Sequence, residues 1–165
     1  THLAERMSNS GQIVAVDVSA DKLARIEQSC LRMGATIVTT HLADRAGELP
    51  AEGFDLVLAD VPCSNTGVLA RRVEARWRFT PEALERLVAD QRVIAAAASR
   101  FVRPGGMLVY STCSIEPEEN AEVAAWLVAH ERRLELLRER ATEPGGADDP
   151  ARWHDGGYCA IFRAR

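Results

Sequence analysis

Short apolar runs alternate with amphipathic stretches along this chain. Ile13-Val14-Ala15-Val16 is a continuous apolar run closed by Asp17. Phe54 to Ala59 is a second, closed by Asp60, and Gly106 to Tyr110 leads into Ser111-Thr112-Cys113-Ser114. Runs of this kind predict strands covered on both faces. Between them lie helix signals. Ser19 can cap a helix over Ala20 to Met33, which Gly34 stops. Thr80-Pro81-Glu82 opens another, followed by Leu84, Leu87, Val88, Ala95, Ala98, Phe101 and Val102 at helical spacing. Pro117 with Glu118 and Glu119 opens a helix to about His130, the acids suiting its positive end.

Weaker elements fill the rest. Thr1 to about Met7 reads as a short helix, and Ala35 to Thr39, Leu134 to Leu137 and Tyr158 to Phe162 as strands. Pro104-Gly105-Gly106 turns the chain into its strand. Asp44 to Gly53, Val61 to Thr80 and Ala141 to Asp155 read as loops. Alternating strands and helices predict an α/β fold with a largely parallel sheet. The last weak strand, long loop and final strand suggest an antiparallel, hairpin-like end to it.

Composition narrows this little. The 165 residues suit a single domain spanning 1–165. The net charge of −4 argues mildly against a dedicated nucleic-acid module, although bulk charge can hide a local basic patch. No apolar run approaches the roughly 18 residues of a membrane span, so no membrane role is expected. Cys30, Cys63, Cys113 and Cys159 are widely spaced without a C-x-x-C, which fits neither a metal site nor a redox motif. Free thiols lead to the expectation of a cytoplasmic protein.

The candidate chemistry gathers at strand ends. Cys63 follows Asp60-Val61-Pro62, and Cys113 follows Ser111-Thr112. If those strands are parallel neighbours, both thiols emerge at the edge where ligands collect in open α/β sheets. Cys30, on a helix, and Cys159, inside a strand, read as core. Asp17 at a strand end suits ribose hydroxyls, with helix capping as the alternative; Asp44 could accept from an adenine amine. The 71–78 stretch holds Arg71, Arg72, Arg76 and Arg78 around Trp77, a pattern suited to phosphate contact and base stacking. A solvated loop with Trp77 packed inward is the alternative. Two thiols and a carboxylate suit alkylation at carbon 5 of cytosine. Thiolate addition at carbon 6, with an acid at ring nitrogen 3, makes carbon 5 nucleophilic. Both cysteines follow strands, and the sequence alone does not rank them.

The chain resembles the RNA (cytosine-5) methyltransferases of the Sun/Fmu and NSUN type. The resemblance rests on Asp60-Val61-Pro62-Cys63-Ser64-Asn65-Thr66-Gly67, Arg71-Arg72 with Arg76-Trp77, Pro104-Gly105-Gly106, Ser111-Thr112-Cys113-Ser114-Ile115, Pro117-Glu118-Glu119-Asn120 and Asp155-Gly156-Gly157-Tyr158. It implies a Rossmann-like class I methyltransferase sheet, mostly parallel with an antiparallel C-terminal strand, and S-adenosyl-L-methionine as cofactor. It implies Cys113 as nucleophile, Cys63 as the thiol that helps release product, and Asp60 against the target base and close to the methyl donor. Asp17 would hold the ribose and Asp44 the adenine. The implied partner is RNA, ribosomal RNA ahead of tRNA, with no metal. DNA cytosine-5 enzymes place their nucleophile at the Pro-Cys motif and lack the second cysteine, so the pair favours RNA. The family's glycine-rich loop and the strand before it are not found, so the domain is expected to be partial, its central first strand missing and the strands ending at Asp17 and Asp60 each left with an open edge. A non-catalytic remnant or RNA-interaction module of the same fold is the competing expectation. Asn65 departs from the small residue or glycine usual at that position, and Val73-Glu74 from the usual Pro-Asp.

Overall fold

The computed structural model describes residues 1–49, 51, 53–146 and 149–165. The loops expected from Asp44 to Gly53 and from Ala141 to Asp155 thus lie partly outside the described residues. The chain forms two compact units, Thr1–Pro50 and Ala51–Arg165.

The first unit contains α1 (His2–Arg6), β1 (Ile13–Asp17), α2 (Ala20–Met33), β2 (Val38–Leu42) and a 3-10 turn over Ala43–Glu48. β1 and β2 pair in parallel from Ile13 with Val38 to Asp17 with Leu42. Ser19 caps α2 by accepting from the Lys22 amide, and Gly34 ends it at φ +67°, the left-handed conformation that glycine adopts without strain. The strand expected over Ala35 to Thr39 begins later, at Val38. Asn9 is the reason: its side chain donates to Gly34 O and accepts from the Thr36 amide, each at 2.9 Å. Those bonds hold 34–36 as a turn, and pairing starts beyond it.

The second unit contains β3 (Phe54–Asp60), 3-10 turns at Thr66–Val68 and Val73–Trp77, α3 (Pro81–Ser99) and β4 (Val102–Thr112). A 3-10 turn at Pro117–Glu119, α4 (Ala121–His130), β5 (Leu134–Thr142), a turn at Pro150–Arg152 and β6 (Gly157–Ala164) complete it. The sheet order is β3-β4-β6-β5. β3 and β4 are parallel, and β6 is antiparallel to both its neighbours. Three strands therefore run one way and β6 the other, the expected antiparallel end. Among the described residues no strand pairs with the second edge of β1 or of β3.

Several boundaries of this unit differ from expectation: β5 runs past Leu137 to Thr142, into the stretch expected as loop, and α3 ends at Ser99, short of Phe101 and Val102. β4 starts at Val102, before Pro104-Gly105-Gly106, because that tripeptide forms a bulge inside the strand. Phe54 pairs with Val102 and Leu56 with Met107, so Asp55 alone faces residues 103–106. Asp55 closes the bulge through Arg103, at 2.7 Å. The acids after Pro117 do not open α4. They sit in a separate 3-10 turn, and α4 begins at Ala121 after Asn120 breaks the backbone at φ −110°, ψ −100°.

The core of this unit lies between the sheet and α3 with α4. Leu108 and Tyr110 of β4, Ala160 and Phe162 of β6, and Val123 and Leu127 of α4 are fully buried. They alternate with more open neighbours at the two-residue period of a sheet covered on one face. Double coverage, the expectation for β3, is not what forms. Leu56 and Leu58 remain 46% and 48% exposed, because both helices pack on the opposite face. Truncating Phe162 to alanine removes the largest apolar side chain at the sheet centre. It should lower unfolding stability by about 3–5 kcal/mol, measured by denaturant titration.

Candidate active site

The parallel pairing of β3 with β4 decides where the site forms. Asp60 pairs with Ser111 in register, so the segments after both strands leave the sheet at one edge. Cys63 and Cys113 meet there, their sulfurs 3.1 Å apart and both half-buried. Asp60 is exposed at the strand end and accepts from the Ser111 hydroxyl at 3.1 Å. Cys30 is buried on α2, as expected of a core cysteine, whereas Cys159, within β6, is only half-buried.

A buried polar network holds the two cysteine segments together. Ser64 donates its amide to Glu119 Oε1 at 2.9 Å and its hydroxyl to Oε2. Gln91 Nε2 lies 2.8 Å from Glu119 Oε1 and 2.9 Å from Pro62 O. The hydroxyls of Ser64, Thr66 and Ser114 form a triangle with sides of 3.1–3.3 Å. Asn120 accepts from Thr112 Oγ1 at 2.6 Å and donates to Ser114 O at 2.9 Å. Gly67 completes the joint: its amide donates to Cys113 O at 3.0 Å, and a Cβ there would stand 2.6 Å from Gly156 O. No other residue type fits that approach.

Sequence reasoning missed most of this network. Glu119 was expected to serve the positive end of a helix and is instead fully buried in a separate 3-10 turn. Gln91 is also fully buried, and a signal for it existed. It occupies the apolar stripe of α3, between Leu87 and Val88 on one side and Ala95 on the other, where a polar residue needs partners.

Burial, and next the hydrogen bond with Cys113, push the Cys63 thiol from an ordinary 9.0 up to about 12. Burial likewise raises Tyr110 and Tyr158 above the usual tyrosine range.

Asp17 and Asp44 lie in the other unit, Asp17 as the last residue of β1 and Asp44 just beyond the carboxyl end of the adjacent parallel strand β2. Asp17 accepts from the Ser19 amide at 2.8 Å and pairs with Lys22 at 3.4 Å. The capping alternative therefore holds for one oxygen, while Oδ2 keeps only a long surface contact. Asp44 is exposed in the following 3-10 turn. Two carboxylate acceptors at the end of a parallel strand pair fit the hydroxyls and amine of a nucleoside. The arginine loop is exposed, including Trp77 at 82%, so Trp77 is not packed inward. Arg71 pairs with Asp155 at 3.2 Å and Arg78 with Glu74 at 3.7 Å.

Residues 1–152 match the family described as 16S rRNA methyltransferase RsmB/F. The chain belongs to the RsmB/F methyltransferase family. It is 36% identical to the ribosomal RNA small subunit methyltransferase F of Klebsiella pneumoniae over 151 residues, 90% of this chain and 32% of that protein. It spans about a third of the length of this relative. NSun6 from Pyrococcus horikoshii with SFG superposes with a TM-score of 0.80 at 27% identity, over 99% of this chain and 44% of that one. A methyltransferase homologue from the same organism gives 0.76 at 28% identity, over 99% and 57%. The fold is thus the Rossmann-like sheet of these methyltransferases. RsmB/F members depend on S-adenosyl-L-methionine, and the nucleoside-type acceptors Asp17 and Asp44 suit its adenosine half. Among the described residues no group of three or more His, Cys, Asp or Glu could hold a metal, and no helix is long and apolar enough to cross a membrane.

The Cys63 shift has a consequence for stability. Unfolded Cys63 releases its proton near 9.0, whereas the folded chain keeps it to about 12. A raised folded value gives a contribution complete below 9.0 and lost as pH rises toward 12. Denaturant titrations across that window should show falling stability, and Cys63→Ala should fall less steeply. Equal slopes would mean that burial does not hold this proton.

Proposed function

We propose that the full-length protein methylates carbon 5 of a cytosine in RNA through a covalent bond between Cys113 and the base, in the cytoplasm. The observation that carries this reading is the 3.1 Å Cys63–Cys113 contact at the ends of parallel strands that also present Asp60. Family membership supports methyl transfer, and the relatives' names favour ribosomal RNA over tRNA as substrate.

The Cys113 thiolate adds to carbon 6 of the base. A proton relayed from solvent through the Asp60 carboxylate reaches ring nitrogen 3, and the electron pair is directed to carbon 5. The cofactor supplies an electrophilic methyl group, with Asp17 and Asp44 proposed to hold its ribose and adenine. Carbon 5 takes that methyl group. The carbon 5 proton then passes to solvent water, its electron pair re-forms the ring double bond, the Cys113 sulfur departs as thiolate, and ring nitrogen 3 returns its proton through Asp60. Cys63, beside that sulfur, serves this elimination.

The test uses the full-length protein with cofactor and RNA on a denaturing gel. Cys113→Ala should lose turnover and form no adduct. Cys63→Ala should accumulate a slow-migrating RNA–protein adduct. An adduct from Cys113→Ala but not from Cys63→Ala would reverse the roles. Full activity in both, with no adduct, would sink the covalent mechanism.

The exposed arginine loop is the proposed RNA contact, with Arg71, Arg72, Arg76 and Trp77 as its members. Arg72 and Arg76 have no ion-pair partner among the described residues. Changing both to glutamate should weaken RNA binding and flatten its salt dependence by about 0.7–0.9 in log–log slope per lost phosphate contact. An unchanged slope would remove these two residues from the interface.

A further inference from the structure

Asn65 lies between the two cysteine segments in a way the proposed chemistry does not use. It enters the Thr66–Val68 turn in the left-handed region, at φ +64° and ψ 23°, a conformation that asparagine tolerates better than most residues. Its carboxamide reaches both cysteines. Nδ2 donates to Cys63 O at 2.8 Å, and Oδ1 lies 3.3 Å from the Cys113 sulfur.

These two contacts settle where the hydrogens are. A backbone carbonyl only accepts, so the amide face toward Cys63 O must be the NH2 group. That leaves Oδ1 toward Cys113. Oδ1 also only accepts, so the Cys113 hydrogen points at Asn65. The hydrogen in the 3.1 Å sulfur–sulfur contact then comes from Cys63. The order is Cys63 S–H to the Cys113 sulfur, and Cys113 S–H to Asn65 Oδ1.

Other titratable groups around the pair are already engaged. Glu119 is occupied by Ser64 and Gln91, and Asp60 accepts from Ser111. Tyr110 donates to Glu119 O, and Tyr158 to Glu139. None of these bonds involves the Cys113 sulfur.

An acceptor that binds a thiol hydrogen favours the protonated sulfur over the thiolate, and it also fixes the side-chain rotamer. We propose that Asn65 is a positioning residue that holds Cys113 in one rotamer, its S–H bonded to Oδ1, until an incoming cytosine displaces the carboxamide from the sulfur and the thiol proton passes to solvent. The inference rests on the nucleophilic role proposed for Cys113. A glycine would supply the left-handed turn alone; asparagine adds a clamp across both cysteine segments.

The test is alkylation of the full-length protein by iodoacetamide across a pH series, each cysteine followed by peptide mass spectrometry. Asn65→Gly keeps the turn and removes the acceptor. Its Cys113 profile should move to lower pH, with a neutral-pH rate about fivefold higher, the worth of one ordinary hydrogen bond. Asn65→Asp keeps the side-chain shape and opposes a thiolate with like charge, so its profile should move to higher pH. Superimposable profiles in all three proteins, or a slower Asn65→Gly, would overturn the proposal. A merely structural role would lower the melting temperature of the variants without ordering the profiles in this way. Neither RNA nor methyl donor enters the assay. An active methyltransferase with unmoved profiles would remove the role of Asn65 alone, and ordered profiles in a protein that forms no adduct with RNA would remove the proposed function alone.

Discussion

The buried carboxylate of Glu119 is the constraint on which the cysteine site depends. Fully buried, it would cost several kcal/mol as an isolated charge. It is kept by donors from two directions: the amide and hydroxyl of Ser64, and the amide of Gln91 on α3. Each of those groups is itself tied to a cysteine segment. Ser64 follows Cys63 directly, and Gln91 also donates to Pro62 O. Glu119 follows Cys113 through the short turn after β4, and Tyr110 donates to its carbonyl at 2.6 Å. One side chain thereby sets the distance between the loop after β3 and the loop after β4. A thiol–thiol contact on unanchored loops would carry little geometric meaning. Here the backbone on each side is fixed by partners that the carboxylate cannot lose without being left unsatisfied.

Much of the architecture was legible in the sequence because its signals are local. Ser19 and Gly34 bound α2, Thr80 and Pro81 open α3, and the apolar runs ending at Asp17, Asp60 and Thr112 became β1, β3 and β4. The meeting of Cys63 and Cys113 was legible only conditionally, through the guess that their strands are parallel neighbours. Failures came where distant groups decide. Nothing near Thr36 in sequence reveals that Asn9, 27 residues earlier, delays β2. Glu119 followed a proline in a stretch rich in acids, the pattern of a solvated helix start, and only the tertiary pairing with Ser64 and Gln91 makes it core. The apolar run of β3 was read as covered on both faces, yet α3 and α4 cover one. Continuous hydrophobicity reports what a strand can bury, not which element buries it.

Arg71 links the arginine loop to this same joint. Its pair with Asp155 is a surface contact worth about 0–1 kcal/mol, too little to order a loop alone. The adjacent backbone does more. Gly156 donates to Gly67 O at 2.7 Å, and Gly67 donates to Cys113 O at 3.0 Å. The segment before β6 is thus stitched to the turn after Cys63 and to the Cys113 backbone. A loop that carries exposed cations and Trp77 thus follows directly on a turn held to the Cys113 backbone.

The two sulfurs are not equivalent, although the sequence presents them alike. Suppose Cys113 loses its proton. Cys63 still donates its own hydrogen to the new anion, so the thiolate keeps a partner 3.1 Å away. Suppose instead that Cys63 ionises. Its sulfur then faces a Cys113 sulfur whose hydrogen is turned toward Asn65, 3.3 Å away, so the charge gains no thiol donor and keeps only the backbone amides of Asn65 and Cys113. Burial acts in the same direction, pushing the Cys63 thiol up to about 12. A thiol that keeps its proton at neutral pH is a poor attacker and a competent donor. Under the proposed mechanism, this order of hydrogens from Cys63 through Cys113 to Asn65 suits addition by Cys113, with Cys63 beside the sulfur when it departs.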